Sequence, residues 1–447
     1  MIKVERLFRA VIRNAAVLLS GKAANAVLTL AAMGLAARGL GLNEFGVLIL
    51  VHAFAKAVGE VAKFQSWQVV VHYGAKPLGE GRLADFQRVL RFSAVLDAIS
   101  AVGGVGVAMA GALVAGPWLK WPEGTAPLAV AYATSVIFMV SATPHGVLRL
   151  FGRFDLIAGQ TTTASLIWLI GSAAAYVLHG GLAAYLAVWW AGTFMAFVVL
   201  FGAAARELAH RGTLKGAHWL GGRLTHGMPG VWRFALTTNA TATLDLGFTH
   251  VSTLMVGGLL NPANAALWNI AKLVGDAIAE PAKMVVPALY PELARLRAAG
   301  DHHTLARLGA RVVLAVGALA TVLLAATMLL GGPALSLALG KAFAAAGPVM
   351  TWQVAAAAIG IWALPLEPML ISTGRAGVAL TVRTIVVVLY LVALTPLIAH
   401  LGLIGAGVAS VGAATLMGAG MLLGVLQWYR DPATGLVRPA PPPDAFA

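Results

Sequence analysis

Cysteine is absent from this 447-residue chain, which excludes disulfides, thiolate metal sites and thiol catalysis. Charge is scarce as well. Asp, Glu, Lys and Arg make up 11% of the residues and hydrophobic types 60%, against about a quarter charged and about half apolar in an ordinary soluble domain. That balance excludes a soluble globular enzyme. Acids are the scarcer charged class, 17 against 31 Lys and Arg, for a formal net charge of +14. In a soluble protein this excess would point to nucleic acid, but in an apolar chain it must first be placed relative to a bilayer. The sequence also carries no nucleophile elbow, zinc helix motif, metal-ligand cluster or phosphate-cradling loop in a credible setting. The expectation is a non-enzyme with no catalytic residues, no metal and no cofactor, in which an ion gradient, of protons or sodium, or the substrate gradient itself rather than ATP supplies any energy.

Long apolar windows are abundant. A bilayer-spanning helix takes about 20 such residues, and windows bounded by charge, Gly or Pro predict twelve spans. They lie at 11–37, 44–66, 90–116, 126–148, 157–178, 181–203, 234–257, 263–287, 309–331, 347–370, 377–399 and 402–427. The predicted fold is an all-α polytopic membrane protein. Its basic residues are one-sided. Arg38, Lys120 and Lys341 fall on one face and five lysines fall inside spans, while every other Lys and Arg lies on the opposite face. Because cytoplasmic loops carry the basic excess, a multi-pass inner-membrane protein with both termini cytoplasmic is expected. The net charge then follows from topology, and nucleic acid is not an expected partner. Trp67, Trp118, Trp121, Trp232, Trp352 and Trp428 fall near span ends, where an amphipathic indole prefers to sit.

The two halves resemble each other. KAVGE at Lys56 to Glu60 matches KLVGD at Lys272 to Asp276, Gly152-Arg153 matches Gly374-Arg375, and His179-x-Gly-Leu matches His400-x-Gly-Leu, at offsets of 216, 222 and 221. Three short matches in the same order imply two homologous six-helix lobes. Six being even, the lobes are parallel repeats, as in alternating-access transporters. The expected organisation is a lobe at 1–203, a basic cytoplasmic linker at 204–233 serving as a solvated tether, a second lobe at 234–427 and a disordered cytoplasmic tail at 428–447.

Ionisable residues inside spans are costly in hydrocarbon and normally face a bundle interior or a water-filled cavity. Lys56, Glu60 and Lys63 share one helical face of span 2, and Lys272, Asp276, Glu280 and Lys283 repeat the device in span 8. Around these stripes the expected cavity adds Lys22 and Asn25, Asp97, Asn239, Asp245, His250 and Asn269. The Gly405, Gly407, Gly412, Gly418, Gly420 series and Gly103, Gly104 and Gly106 are expected to be close helix-packing surfaces.

NAAVLLSGKAANAVLTL from Asn14, then LAARGLGLNEFG, the Gly-Arg pair after span 4 and LALGKAFAAAGPVM before span 10 resemble bacterial polysaccharide flippases of the O-antigen type. These belong to the multidrug, oligosaccharidyl-lipid and polysaccharide exporter superfamily. The resemblance implies two lobes around a V-shaped central cavity and translocation of an undecaprenyl-pyrophosphate-linked oligosaccharide for lipopolysaccharide and related surface glycans. Membrane lipids and other polysaccharide-assembly proteins are the implied partners. In this reading Lys22, Lys56 and Lys272 contact the head group, and Glu60, Asp276 and Glu280 hold them or carry a coupled proton. The alternative is a cation-coupled drug or organic-cation antiporter of the same superfamily. Gly81-x-Leu-Ala-Asp85 is similar to the major-facilitator loop signature, but Phe86, Gln87 and Arg88 depart from it, and the segment reads better as a helix cap.

Overall fold

The computed structural model describes residues 2–216, 224–244, 246–283 and 302–430, and every regular element among them is helical. Helix α1 (Ile2–Ala62) covers the first two predicted spans and bends at Gly41, whose φ of 73° favours glycine. Residues 63–65 then leave the helix, close to the predicted end of span 2 at 66, and α2 (Ser66–Gly79) follows where a connection was expected. Helix α3 (Leu83–Trp118) is continuous, whereas predicted span 4 divides into α4 (Thr125–Ala133), α5 (Val136–Met139) and α6 (Ala142–Leu150). Helices α7 (Phe154–Val177) and α8 (Leu182–His210) follow. Predicted span 7 comprises α9 (Val231–Leu244), a π-helical turn (Gly247–Val251) and α10 (Ser252–Leu259). Beyond α11 (Pro262–Lys283) come α12 (His302–Leu339), a 3-10 turn (Lys341–Ala346), α13 (Gly347–Ala363), α14 (Leu366–Ser372), α15 (Ala376–Leu401) and α16 (Leu403–Arg430). Among the described residues, eight helical stretches are long and apolar enough to cross a membrane. Large apolar side chains such as Val102, Val114, Leu329, Leu337 and Val392 stand exposed, a surface that hydrocarbon would cover.

The chain divides into two compact units, Ala24–Ala263 and Asn264–Ala447 together with Met1–Ala23. In the first unit, α1 packs closely because glycines admit their neighbours. An added Cβ on Gly46 would stand 1.9 Å from the Pro262 carbonyl oxygen, and one on Gly257 would stand 2.3 Å from Leu50. Gly104 faces Ala62 and Val136, whereas Gly103 and Gly106 meet open space. In the second unit, Gly407 lies against Trp352, Gly418 against Ala363 and Gly420 against Val382, while Gly412 packs on nothing within 4 Å.

The duplication extends to backbone detail. Gly152 and Gly374 both adopt positive φ, at 70° and 82°. The N–H of Arg153 donates to the Leu148 carbonyl and that of Gly152 to Arg149, at 2.8 and 3.0 Å. Arg375 to Leu370 and Gly374 to Ile371 repeat the pair at 2.9 and 3.0 Å. Both Gly-Arg pairs therefore end their helices with the same left-handed cap. The His-x-Gly-Leu match is looser: His179 itself takes positive φ, whereas its counterpart His400 stays helical and Gly402 makes the turn.

The described ends of the segment 204–233 pack within the first unit. Gln87 Nε2 donates to the carbonyls of Thr213 and Lys215 at 2.8 and 3.0 Å, Arg88 to that of His226 at 3.3 Å, and Tyr73 Oη to that of Pro229 at 2.8 Å. Met228 and Val231 are buried with Val69, Val89, Phe92 and Leu96. Both described ends of the segment are thus fastened to α2 and α3.

Candidate functional site

The polar stripe on the second limb of α1 is longer than Lys56, Glu60 and Lys63. His52 lies one turn earlier on the same face, and i, i+4, i+8, i+11 spacing aligns the four. Lys63 Nζ stands 3.7 Å from Glu60 Oε1, and Lys56 interacts electrostatically with both. His52 Nδ1 and the Tyr132 hydroxyl are 2.6 Å apart. Its ring packs edge-on against Trp189 and Trp168, with centroids at 4.9 and 5.8 Å. Those two indoles stack on each other at 5.3 Å, and Trp168 Nε1 donates to the Trp189 carbonyl at 3.1 Å. In the aromatic wall Tyr132 and Trp189 are buried, 2% and 1% exposed, whereas Trp168, His52, Lys56, Glu60 and Lys63 are partly exposed.

Asp97 joins two of the chain's helix interruptions in this unit. It is 7% exposed, accepts the Ser66 hydroxyl that opens α2 and accepts the Thr143 N–H in the first turn of α6 at 2.7 Å. A carboxylate at two helix starts satisfies donors that the breaks would otherwise strand in an apolar interior. Nearby, His145 Nδ1 lies 2.9 Å from the Ser141 carbonyl, and Lys63 and Arg149 act on its ring electrostatically. Asn25 accepts from the Ser165 hydroxyl at 2.6 Å, and Thr29 lies 3.0 Å from the same oxygen, so Asn25 ties α1 to α7. Asn239 is partly exposed, with a buried Oδ1 that has no hydrogen-bond partner among the described residues. His250 sits in the π-helical turn within electrostatic range of His52. Lys22 lies on α1 with its side chain outside the described part, and Asp245 lies outside the described residues altogether.

In the second unit α11 carries Asn269, Lys272 and Glu280 partly exposed and Asp276 exposed, along the predicted face. The side chain of Lys283, at the end of α11, is outside the described part. Here the sequence reading missed a pair. Arg383, counted among the loop residues, lies two turns into α15, and its Nη2 stands 3.1 Å from Glu367 Oε2 in the first turn of α14. In the repeat register set by the Gly-Arg caps, Glu367 occupies the place of His145. His52 could have been found from its spacing to Lys56, and Glu367 from that register.

The Escherichia coli K12 protein "Inner membrane protein YghQ" is 33% identical over 337 residues, covering 74% of this chain and 93% of that protein. The chain belongs to the YghQ family. No established family profile matches it. Its fold is that of solved transporters. The lipid II flippase MurJ in an inward closed conformation superposes with a TM-score of 0.72 at 12% identity, covering 92% of this chain and 87% of MurJ. An inward-facing multidrug-resistance MATE transporter of the MOP superfamily gives 0.65 at 14% identity, covering 92% and 94%. The Vibrio cholerae MATE transporter VcmN in its bent form gives 0.59 at 15%, covering 97% and 100%. This YghQ relative is a multi-pass, all-helical membrane protein built from two homologous lobes.

Proposed function

We propose that the protein is a flippase that moves an undecaprenyl-pyrophosphate-linked oligosaccharide across the bacterial inner membrane by alternating access, for synthesis of a surface polysaccharide of the O-antigen type. One observation carries the proposal: two repeat-equivalent helices, α1 and α11, each carry lysines and acids at one-turn spacing along one face. A glycan needs a hydrated polar route while its lipid tail stays in the bilayer, and lysine offers a compact charge to a pyrophosphate. Lys22, Lys56 and Lys272 are the proposed head-group contacts, with Glu60, Asp276 and Glu280 holding them or carrying a coupled proton. The remaining polar span residues line the route, a proton or sodium gradient supplies the energy, and both termini are cytoplasmic. The YghQ relative's inner-membrane designation and the MurJ-like fold support this reading.

The test is the sidedness of lipid-linked oligosaccharide in cells with and without the protein, read by a glycan-modifying probe confined to the periplasmic side. Probe access that depends on the protein, and that Lys56→Gln with Lys272→Gln abolishes in a folded variant, is the expected result. Unchanged access with the glycan present would refute it. The MATE likeness favours a second reading, organic-cation antiport, for which acid-dependent efflux of cationic dyes is the discriminating assay.

A further inference from the structure

By repeat, span 7 opens the second lobe. By packing, it belongs to the first compact unit, which runs to Ala263, and it is held there at both ends. At its start, Val231 and Ala235 of α9 are buried with Val69 of α2 and with Val89, Phe92 and Leu96 of α3. The Phe234 ring stacks on His72 at 4.7 Å, Trp232 meets Phe92 edge-on at 5.3 Å, and the Tyr73 hydroxyl donates to the Pro229 carbonyl at 2.8 Å. At its far end, α10 and the turn after it are gripped by α1 and by the end of α3. An added Cβ on Gly257 would stand 2.3 Å from Leu50, one on Gly258 2.7 Å from Trp118, and one on Gly46 1.9 Å from the Pro262 carbonyl oxygen. Lys120 Nζ donates to the carbonyls of Leu259 and Leu260 at 3.2 and 2.7 Å. That bond satisfies acceptors which a helix end leaves open, and sets a cation at the negative pole of α10. Leu260 then leaves the helical region, at φ −100° and ψ −92°, and Pro262 opens α11 just before the unit ends.

We propose that span 7 moves with the first unit during transport, so that the moving body runs to Ala263 and the duplication does not mark its edge. The inference rests on the alternating-access part of the flippase reading and adds to it which helices travel together. Two bodies that alternate separate on one side of the membrane as they close on the other. A helix that met the first unit only as a closed gate would touch it at one end. Span 7 touches it at both. At one end the contact is a buried apolar cluster, and at the other it is a set of close approaches that a Cβ would block. Close-packed contacts of this kind hold or break as a whole and do not stretch. The joint falls where α11 leaves the unit at Ala263, at the end of an element, where hinge motion is absorbed.

The chain has no cysteine, so introduced pairs report without background. Leu50→Cys with Gly257→Cys ties the far end of span 7. The Cβ built on Gly257 lies 3.1 Å from Leu50 Cγ, which brings the two Cβ atoms near the disulfide spacing of about 3.5–4.5 Å. Phe92→Cys with Trp232→Cys ties the start through a short bis-methanethiosulfonate reagent. In the full-length protein, glycan sidedness is read with each pair open, closed and reopened by reductant, and with both pairs closed together. The expected result is transport at the rate of the open protein with both ends tied. Loss of transport on closing either pair, regained on reduction, would overturn the proposal. The open forms report on folding, and a second measurement needs neither transport nor a tie. Spin labels at Ile99 and Leu236 lie on exposed positions of the first unit, and a label at Leu389 lies on an exposed position of the second. In nanodiscs with and without polyprenyl pyrophosphate, the Ile99–Leu236 pair should hold one distance while the Ile99–Leu389 pair changes. An Ile99–Leu236 distance that changes as well would overturn the proposal, and an Ile99–Leu389 distance that never changes would overturn the division into two moving bodies and the proposal with it. Absence of glycan transport in the wild type would refute the flippase reading alone, because the spin-label distances still decide which helices move together.

Discussion

Replacing Asp97 should loosen two distant stretches of chain at once. Its carboxylate accepts the Ser66 hydroxyl and the Thr143 N–H, the latter at 2.7 Å, in a site only 7% exposed. A hydrogen bond to a charged group contributes about 1.5–3 kcal/mol, so Asp97→Ala removes about 3–6 kcal/mol shared between the two breaks. Asp97→Asn is milder. Its amide oxygen still accepts the Thr143 N–H, and the Ser66 hydroxyl turns to accept from its NH2, so only the charge facing two helix N-termini is lost, about 1 kcal/mol. Hydrogen exchange read by mass spectrometry resolves this locally. At about 1.4 kcal/mol per tenfold, peptides covering 63–70 and 140–147 should each exchange at least about tenfold faster in Asp97→Ala and less than about tenfold faster in Asp97→Asn. Peptides from α8 serve as the unaffected control. Loss of protection at one break alone, or equal effects of the two substitutions, would refute the idea that a single carboxylate holds both.

Three further outcomes follow from the geometry. Gly46→Ala places a methyl 1.9 Å from the Pro262 carbonyl oxygen. With backbone on both sides no rotamer relieves the clash, so about 1–3 kcal/mol of stability is lost and the melting temperature falls, while Gly103→Ala, which meets open space, leaves it unchanged. A double-mutant cycle on Glu367→Gln and Arg383→Gln should give a coupling of about 0.5–1 kcal/mol, modest because the two side chains are 35% and 27% exposed; zero coupling would mean that solvent screens the pair. At the start of α7, the Arg153 guanidinium beside Asp155 holds its carboxyl below the usual range. A depressed carboxylate contributes fully above its ordinary value of about 3.9 and loses that contribution as pH falls through the folded one. The melting-temperature difference between wild type and Arg153→Gln should therefore shrink from pH 5 to pH 3, and a difference constant with pH would assign Arg153 to packing alone.

The features legible in the sequence were those with a period. Apolar windows gave the helical, polytopic architecture, and i, i+4 spacing gave the stripes on α1 and α11, because both depend on local geometry that one helix displays by itself. The Gly-Arg pairs were legible as a repeat, and their shared caps explain why the two glycines recur. Other features depend on contacts between elements far apart in sequence. The break at 63–65 falls at the predicted end of span 2, but the helix α2 that follows it and the carboxylate that clamps its start, Asp97, 31 positions past Ser66, were not legible. Arg383 looked like a loop residue because Gly374-Arg375 precedes it closely, yet α15 begins at once and Glu367 meets it across the turn. His52 was passed over as a neutral residue. Its spacing to Lys56 was legible, but its Tyr132 and tryptophan partners, on helices far away in sequence, were not.

The two repeats use their stripes differently, and the reason lies in a pair of substitutions. In the register of the Lys56 and Lys272 motifs, Ala282 stands where Ser66 opens α2, and α12, the next described helix, has no acidic residue along its length. Among the described residues, the second repeat thus shows neither the hydroxyl nor the carboxylate that clamp the start of α2 in the first. Stranded N–H and C=O groups in hydrocarbon cost several kcal/mol each, so a helix without such partners has to continue. Helix α11 does so, running through Lys283 past the positions that match 63–65. Continuing the helix keeps the stripe in register for Glu280 and Lys283, whereas in the first repeat it ends at Lys63, beside the clamp. The break, Asp97 and Ser66 are therefore one feature, and the asymmetry between the lobes follows from where the chain can satisfy its own backbone.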